Sequence, residues 1–127
     1  MKWTPPLLSL LLALLTACAS PGPSASGPTR ISDGVLTGQN GMTLYTYDKD
    51  SAGSGRSVCN GPCAGNWPPL LAGDGQSAGG DYSVITRDDG KKQWAYKGKP
   101  LYYWIKDQKP GDRSGDGFNN VWRTARP

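Results

Sequence analysis

The chain repeats itself. Gly41–Asp50 and Gly98–Asp107 agree at five of ten positions, sharing Gly, Leu, Tyr, Lys and Asp, and a sixth position is aromatic in both, Tyr47 and Trp104. Each copy runs into a Gly-rich stretch that closes on Asn66-Trp67 or Val121-Trp122. The copies are offset by 57 residues in a chain of 127, so only two fit, too few for a solenoid. The fold must therefore bring two related halves together as one pseudo-symmetric domain.

The local pattern predicts strands. Tyr45 and Tyr47 alternate with Leu44 and Thr46, and Tyr102 and Trp104 alternate with Leu101, Tyr103 and Ile105, the period of a β-strand. Residues 82–87 are rich in β-formers, Asp89-Gly90 is a hairpin turn signal, and residues 92–96 alternate as a return strand. Lys97-Gly98 then turns the chain into a third strand over 99–105, completing an antiparallel meander. Short strands are predicted over 34–37 and 121–124, and one helical turn around 63–67. No segment sustains a 3.6-residue period. The expected fold is all-β: a small single domain of antiparallel hairpins built from two pseudo-repeats, with long Gly/Pro-rich loops.

The first 33 residues read differently. Lys2 precedes an apolar run over 7–15 that is too short for a bilayer span of about 20 residues and fits the core of a signal peptide. Leu15-Thr16-Ala17-Cys18 resembles a bacterial lipobox. That resemblance implies cleavage before Cys18, acylation of Cys18, and attachment to the membrane through the lipid anchor on Cys18. Ala19 favours outer-membrane sorting, facing the periplasm, if two membranes are present. Residues 19–29 contain no large apolar side chain and cannot build a core; extended, they reach at most about 35 Å. The expected organisation is a signal peptide over 1–17, a lipidated Cys and flexible tether over 18–33, and an all-β repeat domain over 34–127.

The repeated unit contains Tyr45-x-Tyr47-x-x-Asp50 and Tyr102-x-Trp104-x-x-Asp107. Together with the lipobox, Cys63-Ala-x-x-Trp67-Pro-Pro69 and the Gly-Asp-rich stretch 111–117, these motifs make the chain resemble the bacterial predicted lipoproteins with a Tyr-x-(Phe/Trp/Tyr)-x-x-Asp motif, the secreted repeat of unknown function. The resemblance implies an envelope location and a repeated architecture, and it brings no activity with it.

Composition excludes much chemistry. The chain has no histidine, and all ten acids are aspartate. A Ser-His-Asp triad, a Cys-His nucleophile, a histidine-held metal and a Glu general acid are all ruled out. With Cys18 acylated, Cys59 and Cys63 are the remaining thiols, and outside the cytoplasm they are expected to form a disulfide. So short a loop makes the bridge worth about 2 kcal/mol. A thiol-redox or electron-transfer role for Cys59/Cys63 is the first alternative. Eleven aromatics lie between residues 34 and 127; few aliphatic residues accompany them, so they are expected to form the core. A wall-glycan platform of exposed Tyr or Trp is the second alternative. Asp50 and Asp107 suit turn or capping roles, with calcium between the loops left open.

Charge is uneven: residues 30–86 carry three bases and five acids, and residues 87–127 carry ten bases and five acids. The basic half reads first as a solvated lysine-rich face that keeps sheet edges from pairing. Lipid phosphates or an anionic wall polymer are the other partners for it. No nucleic acid, metal or cofactor is expected. The whole reads as a lipid-anchored envelope protein of unknown activity, a binding or structural module rather than an enzyme. The partner, an envelope protein or wall polymer, would be met on the loops 49–80 and 106–120.

Overall fold

The computed structural model describes residues 27–73, 76 and 78–127. The expected signal peptide, Cys18 and most of the expected tether lie outside the described residues. In chain order the elements are β1 (Thr29–Ser32), β2 (Val35–Gly38), β3 (Tyr45–Tyr47), α1 (Pro62–Asn66), β4 (Tyr82–Thr86), β5 (Lys92–Tyr96), β6 (Lys99–Pro100), a 3-10 turn (Phe118–Asn120) and β7 (Trp122–Thr124). The architecture is all-β and antiparallel, with one short helix.

Each half opens with a hairpin. β1 pairs with β2, and β4 with β5, through Asp33-Gly34 and Asp89-Gly90 turns. At the first turn both residues have positive φ, 49° and 80°, the geometry that selects Asp-Gly in a two-residue hairpin. The ordered domain therefore begins before the expected boundary at Gly34. β1 escaped the sequence reading because it buries no apolar side chain: Ile31 is 63% exposed, and the strand is held by its backbone ladder to β2 and by polar side-chain bonds.

The halves then exchange their ends. β7, at the end of the second half, pairs with β3 of the first, Tyr45 opposite Thr124 and Tyr47 opposite Trp122. The end of the first half crosses in return, Pro69 bridging to Tyr102 and Leu71 to Gln93. At the centre Tyr45 and Tyr102 sit opposite each other and exchange both backbone hydrogen bonds, at 2.8 and 3.0 Å. A pseudo-twofold axis passes between them.

The meander forms as expected, but its third strand is shorter. β6 is confined to Lys99–Pro100 because the chain from Leu101 onward leaves β5 and pairs with the crossing segment. The N–H groups of Tyr103 and Ile105 donate to the carbonyls of Pro68 and Asn66. Leu70 N–H donates back to the Leu101 carbonyl, but Pro68 has no N–H to return, so the pairing never becomes a regular ladder.

Alternation along the central strands divides the interior into two cores. Leu44 and Leu101 point into one, with Leu36, Leu70, Trp94 and Ala125. Tyr45 and Tyr102 point into the other, with Cys59, Trp67, Trp104 and Trp122. The first core obeys the pseudo-symmetry in its backbone as well. Leu44 N–H donates to Leu36, Leu36 to Ala125 and Ala125 to Leu44, while Leu101 donates to Trp94, Trp94 to Leu70 and Leu70 to Leu101. Burying each leucine is worth about 2 kcal/mol, and the core draws its residues from both halves.

Candidate functional site

The repeated motif folds into a reciprocal pair. Tyr45 donates its phenol proton to Asp107 Oδ2 at 2.6 Å, and Tyr102 donates to Asp50 Oδ2 at 2.5 Å. Tyrosine and aspartate of one motif are too close along the chain to meet across a strand, so each tyrosine takes the aspartate of the other copy. Both phenols are fully buried. Burial first, and then the hydrogen bond to an aspartate, pushes both well above the ordinary tyrosine range.

Each aspartate also fastens a loop. Asp50 Oδ1 accepts from the Val58 N–H at 2.7 Å, and Asp107 Oδ1 accepts from the N–H and hydroxyl of Ser114 at 3.0 and 2.6 Å. The aspartates do serve loop geometry, as expected, but through residues seven or eight positions ahead and a phenol from the opposite half. Burial raises Asp50 above the usual carboxylate range, against the lowering effects of the Tyr102 and Val58 bonds and of Arg87.

Arg87 was not singled out in the sequence, yet it is 4% exposed and organises the Asp50 side. Its guanidinium donates to Ser57 Oγ (2.9 Å), Gln93 Oε1 (2.7 Å) and the Cys59 carbonyl (2.6 Å). Ser57 Oγ lies 2.6 Å from the Tyr102 oxygen. Tyr102 spends its proton on Asp50, so Ser57 donates to Tyr102, and a directed chain runs from Arg87 through two hydroxyls to the carboxylate. Gln93 continues the network to the Leu101 carbonyl at 2.7 Å. On the other side the phenol of Tyr45 accepts from the Gly115 N–H at 3.2 Å. A Cβ at Gly115 would lie 2.7 Å from the Trp67 ring; only glycine allows that approach.

The third motif position builds an aromatic column. Tyr47 stacks on Trp122 (4.2 Å between centroids), Trp122 on Trp67 (3.7 Å, planes within 4°) and Trp67 on Trp104 (4.0 Å). The order is pseudo-symmetric, with equivalent tryptophans in the middle and the two motif aromatics at the ends. Tyr45 and Tyr102 meet Trp67 and Trp122 edge-on, at 5.4 and 5.2 Å. Offset stacks and edge contacts of this kind each add about 0.5–1.5 kcal/mol beyond area burial. The four described tryptophans are 3 to 7% exposed, so none offers a flat face to a sugar ring.

Cys59 and Cys63 are bridged, with their Cα atoms 5.2 Å apart. Cys59 is fully buried in the aromatic core, and Cys63 opens α1 behind Pro62. The bridge thus ties the Ser57–Cys59 segment of the network to the helix that presents Trp67. The loops 49–80 and 106–120 do meet, through Gly115 and Phe118 against Trp67.

The Lipoprotein_15 model, described as a secreted repeat of unknown function, matches residues 30–71 and 83–126, more than half of the chain. The chain belongs to this secreted repeat family. Each match spans one half of the pseudo-symmetric domain, from opening hairpin to crossing end. No curated protein and no solved structure matches the chain. In this member of the Lipoprotein_15 family, the site that sequence reading marked at Tyr45, Tyr47, Asp50, Tyr102, Trp104 and Asp107 is one assembly. Ser57, Arg87, Gln93, Ser114 and Gly115 belong to it and lie outside the repeated motif. The carboxylates of Asp50 and Asp107 are taken up by phenols and loop amides, and among the described residues no three Cys or Asp side chains come together to hold a metal.

Proposed function

We propose that the chain is a lipid-anchored module of the cell envelope that binds or scaffolds and does not catalyse. The observation that carries this reading is the saturation of the repeated motif. Its two tyrosines and two aspartates are buried and hydrogen-bonded to one another or to loop groups, and a buried, satisfied group holds a fold better than it attacks a substrate. A rigid domain on an acylated Cys18, carried by a short polar tether, suits display near a membrane surface, on the periplasmic side of the outer membrane where a cell has two membranes. Envelope fractionation of the intact chain and of Cys18→Ala tests the anchor. The wild type should sediment with membranes and carry acyl mass on Cys18, and the variant should lose both. A wild-type chain that is soluble and unacylated would overturn the anchored reading.

One observation keeps a thiol-redox reading in view: beside the fully buried Cys59, its partner Cys63 is only half-buried. The reduction potential decides between the two. A value below about −300 mV marks a structural bridge, and one between about −120 and −230 mV marks an exchangeable pair.

A further inference from the structure

The two halves differ in charge beside β7. β7 and the turn between β5 and β6 enclose a shallow cleft of about 270 Å³, faced by Lys97 and Lys99 on one wall and Arg123 and Arg126 on the other, beside the ring of Tyr96. No acid lines it. Asp48 holds Arg123 through Nε and Nη2 at 3.1 and 2.9 Å. Lys97, Lys99 and Arg126 have no ion pair among the described residues.

The pseudo-symmetry supplies a comparison within the molecule. The repeat places Asn40 and Met42 where the second half has Lys97 and Lys99, and Pro68 and Leu71 where it has Arg123 and Arg126. None of the four equivalents is charged. A basic face that served only solvation or edge protection would have no reason to be confined to one of two equivalent positions.

Lys97 also stands where lysine fits the backbone poorly. It has φ +50° ahead of Gly98 at +82°, a two-residue turn that favours Asn-Gly. Its Nζ is nevertheless held 5.4 Å over the Tyr96 ring at the cleft. A side chain kept against its backbone preference points to a use for the side chain.

The way the chain leaves the domain indicates what fills the cleft. The Tyr96 ring packs on Tyr82 at 5.0 Å. Tyr82 in turn bonds the Thr29 hydroxyl and lies against Gly27, the first described residue. Cys18 is nine residues further back, a reach of at most about 30 Å, so a membrane carrying the anchor lies within reach of this side. Lysine and arginine both bind phosphate oxygens through charge-assisted hydrogen bonds, and basic clusters beside an anionic leaflet gain affinity with each cation.

We propose that this cleft binds the phosphate groups of anionic phospholipids in the membrane that holds the anchor, an inference that rests on acylation at Cys18. The test uses the intact acylated chain in vesicles of phosphatidylcholine, with and without phosphatidylglycerol. Amine-reactive labelling of each lysine is read by mass spectrometry. Lys97 and Lys99 should be protected several-fold only when phosphatidylglycerol is present, Lys91 and Lys92 should label equally in both, and high salt should remove the protection. Combining Lys97→Asn, which suits the turn, with Arg126→Gln should return Lys99 to full labelling. Equal labelling in the two vesicle types would overturn the proposal. So would protection by inorganic phosphate or a phosphodiester wall polymer as strong as that by phosphatidylglycerol. Flotation with phosphatidylcholine alone reads the anchor, and the labelling difference reads the cleft, so the two readings fail separately.

Discussion

Tyr45 and Tyr102 face each other across the pseudo-twofold axis, joined by both backbone hydrogen bonds, and each phenol ends on the aspartate of the other copy. The motif that marks the family in sequence is thus the clasp between its two halves. A spacing of five residues from tyrosine to aspartate serves this: two residues beyond each tyrosine a turn begins, its Asp N–H donating to the Tyr47 or Trp104 carbonyl, and it carries the aspartate to the tyrosine of the other copy.

Breaking one side of the clasp should destabilise the domain without changing its fold. Tyr102→Phe takes the phenol donor from Asp50 Oδ2 and the acceptor from the Ser57 hydroxyl proton, at a cost of about 1–3 kcal/mol. For a domain near 100 residues each kcal/mol lowers Tm by about 4–8 °C. Denaturant titration of Tyr102→Phe, Asp50→Asn and the double variant should show strong coupling between the two sites. A loss below half a kcal/mol in both single variants would show that the clasp is dispensable.

Stability should fall steeply in alkali and change little around neutrality. Tyr45 and Tyr102 have raised pKa values through burial and their aspartate bonds. In the unfolded chain they ionise near 10. Above that pH the unfolded state binds fewer protons than the folded one, so their contribution is full below pH 10 and is lost as pH rises toward the folded values. Absorbance at 295 nm should show these phenols ionising only as the domain unfolds. Full tyrosine ionisation before the loss of near-ultraviolet circular dichroism would contradict the buried pairs. With no histidine in the chain, no side chain with an unperturbed pKa between 6 and 8 is present to disturb that plateau.

Two glycines should respond to alanine with opposite signs. At Gly115 the new Cβ meets the Trp67 and Tyr45 rings at 2.7 and 3.0 Å. Overpacking there should cost about 1–3 kcal/mol. Gly65 lies in α1 with nothing within 4 Å of its Cβ position, and alanine should stabilise it by about 0.5–1 kcal/mol. Thermal melts of the two variants check both directions at once.

Removing the bridge by Cys59→Ala with Cys63→Ala should cost about 2 kcal/mol from the small loop it closes. A further loss is expected because the Cys59 side chain sits among the core rings. Loop entropy alone would leave the near-ultraviolet signal of the tryptophan column unchanged. We expect the signal to weaken, because α1 presents Trp67 from the far side of the bridge.

Much of the fold was legible because strands announce themselves locally. The alternation at 44–47 and 101–104, the Asp-Gly turns and the β-branched run of β4 each carry their own signal. β1 was missed because an exposed strand leaves no apolar pattern. The crossing segment 68–71 carried no strand signal, because its two prolines donate nothing to a ladder. At the site, repetition exposed the tyrosines, aspartates and motif aromatics. Arg87, Ser57 and Gln93 lie outside the repeated motif and look like ordinary surface residues of a strand and loop, so only the fold reveals that one network buries them. The reciprocity itself could not be read, since a sequence pattern shows that two tyrosines and two aspartates exist and not which meets which.

The exchange of ends has a consequence for a single repeat made as a separate chain. The central segment of each half pairs with the end of the other, so one half alone would present the self-complementary surface of a twofold homodimer, each protomer lending its tail to the other. Two identical chains in such a dimer must be alike at every position. Fusion into one polypeptide lifts that constraint. This is what lets the tail after Trp67 be Pro68, Pro69, Leu70 and Leu71, while the tail after Trp122 is Arg123, Thr124, Ala125 and Arg126. The covalent link thus frees one side of a symmetric body to specialise while the other goes on holding it together.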